Sequence, residues 1–251
     1  MCRLLGYQGR ARALRRELLD EPNSMLRQSQ CDRDVCQPND DGWGFGFESD
    51  GRLEIVKRPC APAGDAAFAR MAGTTFHRVM LHIRRASVGG ASAENTHPWS
   101  YDNQIIFAHN GSVYGFDSVR DEAMASLPVA WRRQISGTTD SEFAMVTFIR
   151  FLGTVSNDVE SYRRAFSQTV ADMRRWSEKA GADRLPKLNF MILTRHLLMA
   201  TRVVHSLGYY VTDDGVVITS ESLRDGDGWT PLKDETVMAV RPDATWDVWP
   251  L

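Results

Sequence analysis

Apolar residues recur along the chain with two different periods. Val159, Tyr162, Phe166, Val170 and Met173 are spaced three or four apart, which predicts an amphipathic helix between residues 157 and 179 with these side chains in the core. In SGTTDSEFAMVTFIRFL, Thr139 or Asp140 is placed to cap a helix whose Phe143, Val146, Phe148 and Ile149 form a broad apolar surface. A shorter helix is expected from ARALRRELL: Leu14, Leu18 and Leu19 supply an apolar side, and Asp20-Glu21-Pro22 discourages continuation. Elsewhere the period is two. Trp43, Phe45 and Phe47 alternate with small residues ahead of Ser49-Asp50-Gly51, a pattern that predicts a hairpin. Strands are also expected over 79–85, in NQIIFAHNGSV up to Asn110-Gly111, and in short pieces from Leu188 onward that complete sheets begun near the N-terminus. The last segment is read as one more strand and a polar, proline-limited tail. No internal repeat or long linker interrupts this order, so one domain spanning 1–251 is expected.

Composition narrows the class. The chain is 43% hydrophobic and 25% charged, as in ordinary globular proteins. A formal charge of -2 gives no basic excess for nucleic acid or an acidic membrane, and the arginines near the N-terminus are read as a solvated face. MCRLLGYQGRARALRR breaks its apolar run with arginines and is not a signal peptide, and no apolar run has membrane-spanning length. A soluble cytoplasmic protein is expected. Four cysteines are too few for a disulfide framework in a chain of this size. The CDRDVC spacing of Cys31 and Cys36 fits no common zinc pattern, so two ordinary loop cysteines are favoured over a metal site or regulatory disulfide. The glycines of DGWGFG follow neither a Walker order nor a dinucleotide fingerprint.

Polar residues recur where the apolar runs stop: His82 and Arg84 in HIRRAS, His97 in ENTHPW, His109-Asn110-Gly111 in AHNG and Asp140 in TTDSE. Each alone has a structural explanation: a histidine satisfying backbone groups, a solvated arginine, an Asn-Gly turn. Together with the initial MC and with DGWGFG, in this order over roughly the first 145 residues, they resemble the class II glutamine amidotransferases, a branch of the N-terminal nucleophile hydrolases. LNFMILTRHLLMATR and VVITSESLRDGDGW look like the ending of small stand-alone members, which extends the resemblance over nearly the whole chain.

The resemblance implies an α+β fold, a four-layer α/β/β/α sandwich of two mainly antiparallel sheets. It implies that removal of Met1 exposes Cys2 as the nucleophile, which forms a γ-glutamyl thioester and releases ammonia or an amine. The freed α-amino group then carries the proton; its reference pKa of roughly 7.7 to 8.0 lies close to that of a thiol. While Met1 is attached, that nitrogen is an amide and cannot act as a base. The Asn110 side chain and the Gly111 N–H are assigned to the oxyanion, Arg84 to the substrate α-carboxylate and Asp140 to its α-ammonium. Arg85, next to Arg84, is expected to point the opposite way on an extended strand. Trp43, His82, His97, Trp99 and His109 are candidates for pocket support. Positions 82, 97 and 109 make no local metal motif, and neither metal nor cofactor is expected.

The expected function is hydrolysis of the γ-amide of glutamine or a γ-glutamyl small molecule. The alternatives are a glutaminase subunit delivering ammonia to a separate synthetase, a γ-glutamyl hydrolase of an ergothioneine-type pathway, and a non-catalytic γ-glutamyl-binding module. SMLRQS resembles a segment of the ergothioneine group, whereas ENTHPW is closer to the general amidotransferase pattern.

Overall fold

The computed structural model describes residues 2–31, 36–155, 158–226 and 228–251. The chain begins in β1 (Arg3–Ala13), makes a π-helical turn at Arg16–Asp20 and continues through α1 (Met25–Gln30) to the hairpin β2 (Gly42–Ser49) and β3 (Arg52–Arg58). Next come α2 (Ala66–Gly73), β4 (Thr75–Arg84), β5 (Trp99–Tyr101) and β6 (Ile105–Ser112). Four helices follow: α3 (Phe116–Ser126), α4 (Val129–Arg132), α5 (Asp140–Leu152) and α6 (Val159–Lys179). The last strands are β7 (Lys187–Thr194), β8 (Leu198–Arg202), β9 (Gly208–Thr212), β10 (Gly215–Thr219), β11 (Thr230–Pro231), β12 (Thr236–Val240) and β13 (Trp246–Pro250). They form one sheet in the order β11-β9-β10-β1-β4-β2-β3 and another in the order β13-β12-β8-β7-β6-β5. Every strand pairing in both is antiparallel.

The two sheets face each other, and the pleat sorts their side chains into three cores. Leu4, Met80 and Ile218 of the first sheet meet Ile106, Met191 and Met238 of the second. On the outer side of the first sheet, Leu5, Tyr7, Trp43 and Phe45 pack beneath Phe68 of α2. Outside the second, Phe107 and Phe190 pack against Phe143 and Phe148 of α5 and Phe166 of α6. The result is the four-layer α/β/β/α sandwich. Full burial of each large side chain contributes roughly 1.5–3 kcal/mol. Asp158 caps α6 by accepting the Glu160 and Ser161 N–H groups, both at 3.1 Å, and Thr139 accepts the Glu142 N–H of α5 at 3.2 Å. Residue 157, where that helix was expected to start, lies outside the described residues.

Three local expectations need correction. ARALRRELL does not form one helix: β1 continues past a bulge between Gln8 and Arg12, pairs Arg12 with Phe76 and Ala13 with Thr75, and leaves only the short turn at Arg16–Asp20. Sheet pairing here outweighs helix propensity, while Leu14 and Leu18 remain buried in the outer core. The C-terminal tail is an edge strand, β13, paired along β12 from Thr236↔Pro250 to Val240↔Trp246. Cys31 and Cys36 form a disulfide with Cα atoms 4.1 Å apart. The Asn39 N–H donates to the Ser29 carbonyl at 2.7 Å, which holds the residues flanking the two cysteines together.

Candidate active site

Cys2 immediately precedes β1 and is nearly buried at the end of the first sheet. Its Sγ sits against the backbone just past β4: the Arg85 N–H donates to it at 3.3 Å, and the thiol donates to the Arg85 carbonyl at 3.4 Å. Burial pushes the thiol pKa up; the Arg85 N–H and the charges of Arg84 and Arg3 pull it only partly back. The resting group is therefore a thiol and needs a proton acceptor to become a nucleophile. Met1 lies outside the described residues.

A small, shallow hollow opens at this point, lined by Cys2, Arg84, Gly111, Asp140, His97 and His109 among others. Two larger surface hollows, one beside Tyr162 and His196 and one beside His77 and Asp214, include none of these six. β4 delivers Arg84, β6 delivers His109 and Gly111, and the first residue of α5 is Asp140. Arg84 Nη1 donates to Gly90 O at 2.9 Å, and Nη2 donates to Val88 O at 2.8 Å and Gly89 O at 3.1 Å. Those three bonds hold the 88–90 loop and leave two of the five guanidinium N–H donors for a ligand. Asp140 Oδ2 accepts the Val113 N–H at 2.6 Å, and Oδ1 faces the Ser141 hydroxyl at 3.2 Å.

Gly111 is fixed as glycine by its neighbours. A Cβ there would lie 1.8 Å from the Lys187 carbonyl oxygen and 2.5 Å from His109 Nε2. The preceding Asn110 is fully buried but does not line the hollow. Its Nδ2 donates to Ser220 Oγ at 3.1 Å, while Oδ1 has no partner among the described residues. Ser220 Oγ also accepts the Leu4 N–H at 2.7 Å, so this hydroxyl links β6 of one sheet to β1 of the other. Rotating the Asn110 amide by half a turn would let Oδ1 accept from Ser220 and would turn Nδ2 the other way.

The histidines form a layer beneath this floor. His82 stacks on His97 with centroids 3.9 Å apart, and the Trp99 ring packs tilted against His97 with centroids 4.1 Å apart. Burial, reinforced by the nearby Arg84, pushes His82 down to about 3; burial also pushes His97 and His109 down, so the layer is neutral at pH 7. Gly44 allows this approach, since a Cβ there would lie 2.2 Å from the His97 carbonyl oxygen. Neither ring nitrogen of His97 has a partner among the described residues. His109 is held at both nitrogens, by Ser141 Oγ and the Lys187 carbonyl, each at 2.9 Å. No group of three His, Cys, Asp or Glu among the described residues is arranged to hold a metal ion.

Trp43 does not support the pocket. It lies opposite Ile83 on the outer face of its sheet, packs edge-on to Phe68 at 5.5 Å and donates Nε1–H to Asp65 at 3.2 Å. The pleat turns it away from Cys2. Trp99 and His82 do not line the hollow: Trp99 packs on His97, and His82 stacks on His97 and bonds the His109 carbonyl. The strand-alternation expectation does not apply to Arg85, because β4 ends at Arg84 and Asp41 accepts the Ala86 N–H at 2.7 Å just beyond; both arginines border the hollow. Sequence reasoning did not single out Ser141, Lys187, Ser220 or the buried ion pair Arg3–Glu221, which anchors the strand that follows Cys2. These are two serines, a backbone carbonyl acceptor and a distant ion pair, and nothing in their local sequence marks them.

No helix among the described residues is long and apolar enough to cross a membrane. The family model for class II glutamine amidotransferases matches residues 1–209. A γ-glutamyl-hercynylcysteine sulfoxide hydrolase of Mycolicibacterium smegmatis is 30% identical over the full length of both chains. A probable glutamine amidotransferase of Saccharomyces cerevisiae is 26% identical over 82% of this chain and 64% of its own. Among solved structures, a class II domain protein from Silicibacter pomeroyi superposes with a TM-score of 0.73 at 19% identity, covering 99% of each chain. The fold, the family match and the full-length relative agree: the chain belongs to the class II glutamine amidotransferases and is an enzyme of that family.

Proposed function

We propose that this chain, as a single domain over 1–251, hydrolyses the γ-amide bond of a γ-glutamyl compound, glutamine being the smallest. The observation that carries the reading is the meeting of Cys2, Arg84, Gly111 and Asp140 at one hollow from four separate segments. Arg84 receives the substrate α-carboxylate on its two remaining N–H donors, and Asp140 receives the α-ammonium. The Cys2 sulfur attacks the γ-carbonyl carbon and passes its proton to the α-amine of the same residue, freed by loss of Met1. Negative charge on the carbonyl oxygen is met by the Gly111 N–H and by Asn110 Nδ2, once its amide turns away from Ser220. Each such donor contributes roughly 3–4 kcal/mol to the transition state. The C–N bond breaks, the amine leaves with the proton, and water hydrolyses the thioester to glutamate and free thiol. His97 and His109 form the neutral floor.

The full-length similarity to a γ-glutamyl-hercynylcysteine sulfoxide hydrolase favours a leaving amine larger than ammonia. A glutaminase subunit serving a separate synthetase is the competing reading, distinguished by an ammonia acceptor that stimulates glutamine turnover. The test uses Met1-free protein with glutamine and a panel of γ-glutamyl compounds, reading glutamate release. An electrophilic glutamine analogue followed by intact-mass analysis reports both Met1 removal and capture at Cys2. Folded, Met1-free protein that releases no glutamate and takes up no analogue would overturn the proposal.

A further inference from the structure

We infer that Arg85 reads a carboxylate on the leaving-group side of the scissile amide, so that the preferred substrates are γ-glutamyl amino acids or peptide acids rather than glutamine. This rests on the γ-glutamyl hydrolase reading above and specifies its substrate class. Arg85 is the residue whose backbone N–H and carbonyl hold Cys2 Sγ, at 3.3 and 3.4 Å, so its side chain starts beside the reacting centre. It borders the same hollow, is half-buried, and its guanidinium has no hydrogen-bond or ion-pair partner among the described residues.

The other cations nearby are committed. Arg84 spends three N–H donors on the carbonyls of 88–90, Arg3 is paired with Glu221, and Lys57 donates to the Thr96 carbonyl at 2.8 Å and the Pro98 carbonyl at 3.4 Å. Asp41 accepts the Ala86 N–H and fixes the backbone after Arg85, while Asp140, the acidic residue that lines the same hollow, accepts the Val113 N–H.

A guanidinium is suited to paired, charge-assisted bonds with a carboxylate. When the substrate is glutamine, the leaving group is ammonia and offers Arg85 nothing. When the leaving group is an α-amino acid, its carboxylate is one carbon removed from the scissile nitrogen, within reach of an arginine rooted beside the sulfur. Arg84 thus serves the α-carboxylate of the glutamyl half, and Arg85 the carboxylate of the departing half.

The test compares kcat/KM of the Met1-free protein for γ-glutamylalanine, γ-glutamylalaninamide and glutamine, in the parent and in Arg85→Ala, Arg85→Lys and Arg85→Glu. The readout is the acid-to-amide ratio within each protein, which loss of folded protein does not move. The parent is expected to prefer the acid by roughly 10- to 100-fold, the range of one charge-assisted contact. Arg85→Ala should bring the ratio close to one, Arg85→Lys should keep part of it, and Arg85→Glu should invert it. A parent ratio of one, or a ratio unchanged in Arg85→Ala, overturns the inference while glutamine turnover leaves the hydrolase reading standing. Refusal of all three substrates, with no capture of the electrophilic analogue, overturns both.

Discussion

Acidification should destabilise this protein through His82, and the size of the effect can be worked out from its surroundings. His82 is fully buried, its Nε2 lies 3.1 Å from the His109 carbonyl oxygen, and its Nδ1 has no partner among the described residues. The ring is therefore neutral with Nε2–H donating, and burial beside Arg84 pushes its pKa down to about 3. In the unfolded chain the same group takes up a proton near 6.5. Between these values the unfolded state binds more protons, so stability is fully present above pH 6.5 and is lost as pH falls toward 3. Each pH unit in that window costs about 1.4 kcal/mol, giving about 2 kcal/mol at pH 5 from this residue alone. His97, also pushed down, acts in the same sense. His82→Gln keeps a neutral donor and removes the titration. Urea unfolding of both proteins at pH 7.5 and pH 5.0 should show the parent losing about 2 kcal/mol more than the variant on acidification. Equal losses would refute the assignment of a neutral buried imidazole, whatever the variant's stability at pH 7.5.

Other perturbations test different parts of the site. Gly111→Ala should cost about 1–3 kcal/mol in thermal unfolding and abolish turnover, because its Cβ would meet the Lys187 backbone, which cannot retreat from β6 without breaking the pairing. Arg84→Lys should lower kcat/KM by roughly 100-fold, since one ammonium cannot hold three carbonyls of the 88–90 loop and a carboxylate together; near-parental turnover would count against that double duty. Alkylation of denatured protein without reductant should label two of the four cysteines, Cys2 and Cys60, and all four after reduction; four labels without reductant would remove the Cys31–Cys36 bond. Ser220→Ala should slow glutamate release while sparing analogue binding, because it frees the Asn110 amide without touching substrate.

Elements with dense periodic signals were legible in the sequence. The hairpin formed where Trp43, Phe45 and Phe47 alternate, with Asp50 and Gly51 at positive φ in the turn, and α6 followed its three-and-four spacing. α3 was not anticipated, because only Phe116, Val119 and Ala123 of its residues are buried and its exposed polar positions mask the period. The extension of β1 depended on pairing with β4, a contact between residues more than sixty apart that local propensity does not register. At the site, Cys2, Arg84, Asn110-Gly111 and Asp140 stood out through the order of motifs, whereas spacing alone says nothing about convergence. Face assignment was weaker still: Trp43 and His82 sit on neighbouring strands, yet the pleat puts one under α2 and the other between the sheets.

The site is a property of two sheets held in register. Cys2, Arg84 and Arg85 belong to the end of one sheet, whereas His109, Asn110 and Gly111 come from the facing one. The distance between nucleophile and proposed oxyanion donors is therefore set by the apolar layer between them, in which Leu4 and Met80 meet Ile106 and Met191. A polar tie crosses the same gap at the catalytic end, from Asn110 through Ser220 Oγ to the Leu4 N–H, two residues beyond Cys2. Arg3, between them, is clamped by Glu221, the residue after Ser220. The segment just beyond β10 thus carries no reacting group, yet it fixes both the strand that presents the nucleophile and the amide that must face it. Because a misplacement of about 1 Å can cost roughly 100-fold in rate, this distant support is as necessary to the chemistry as the motifs that mark it.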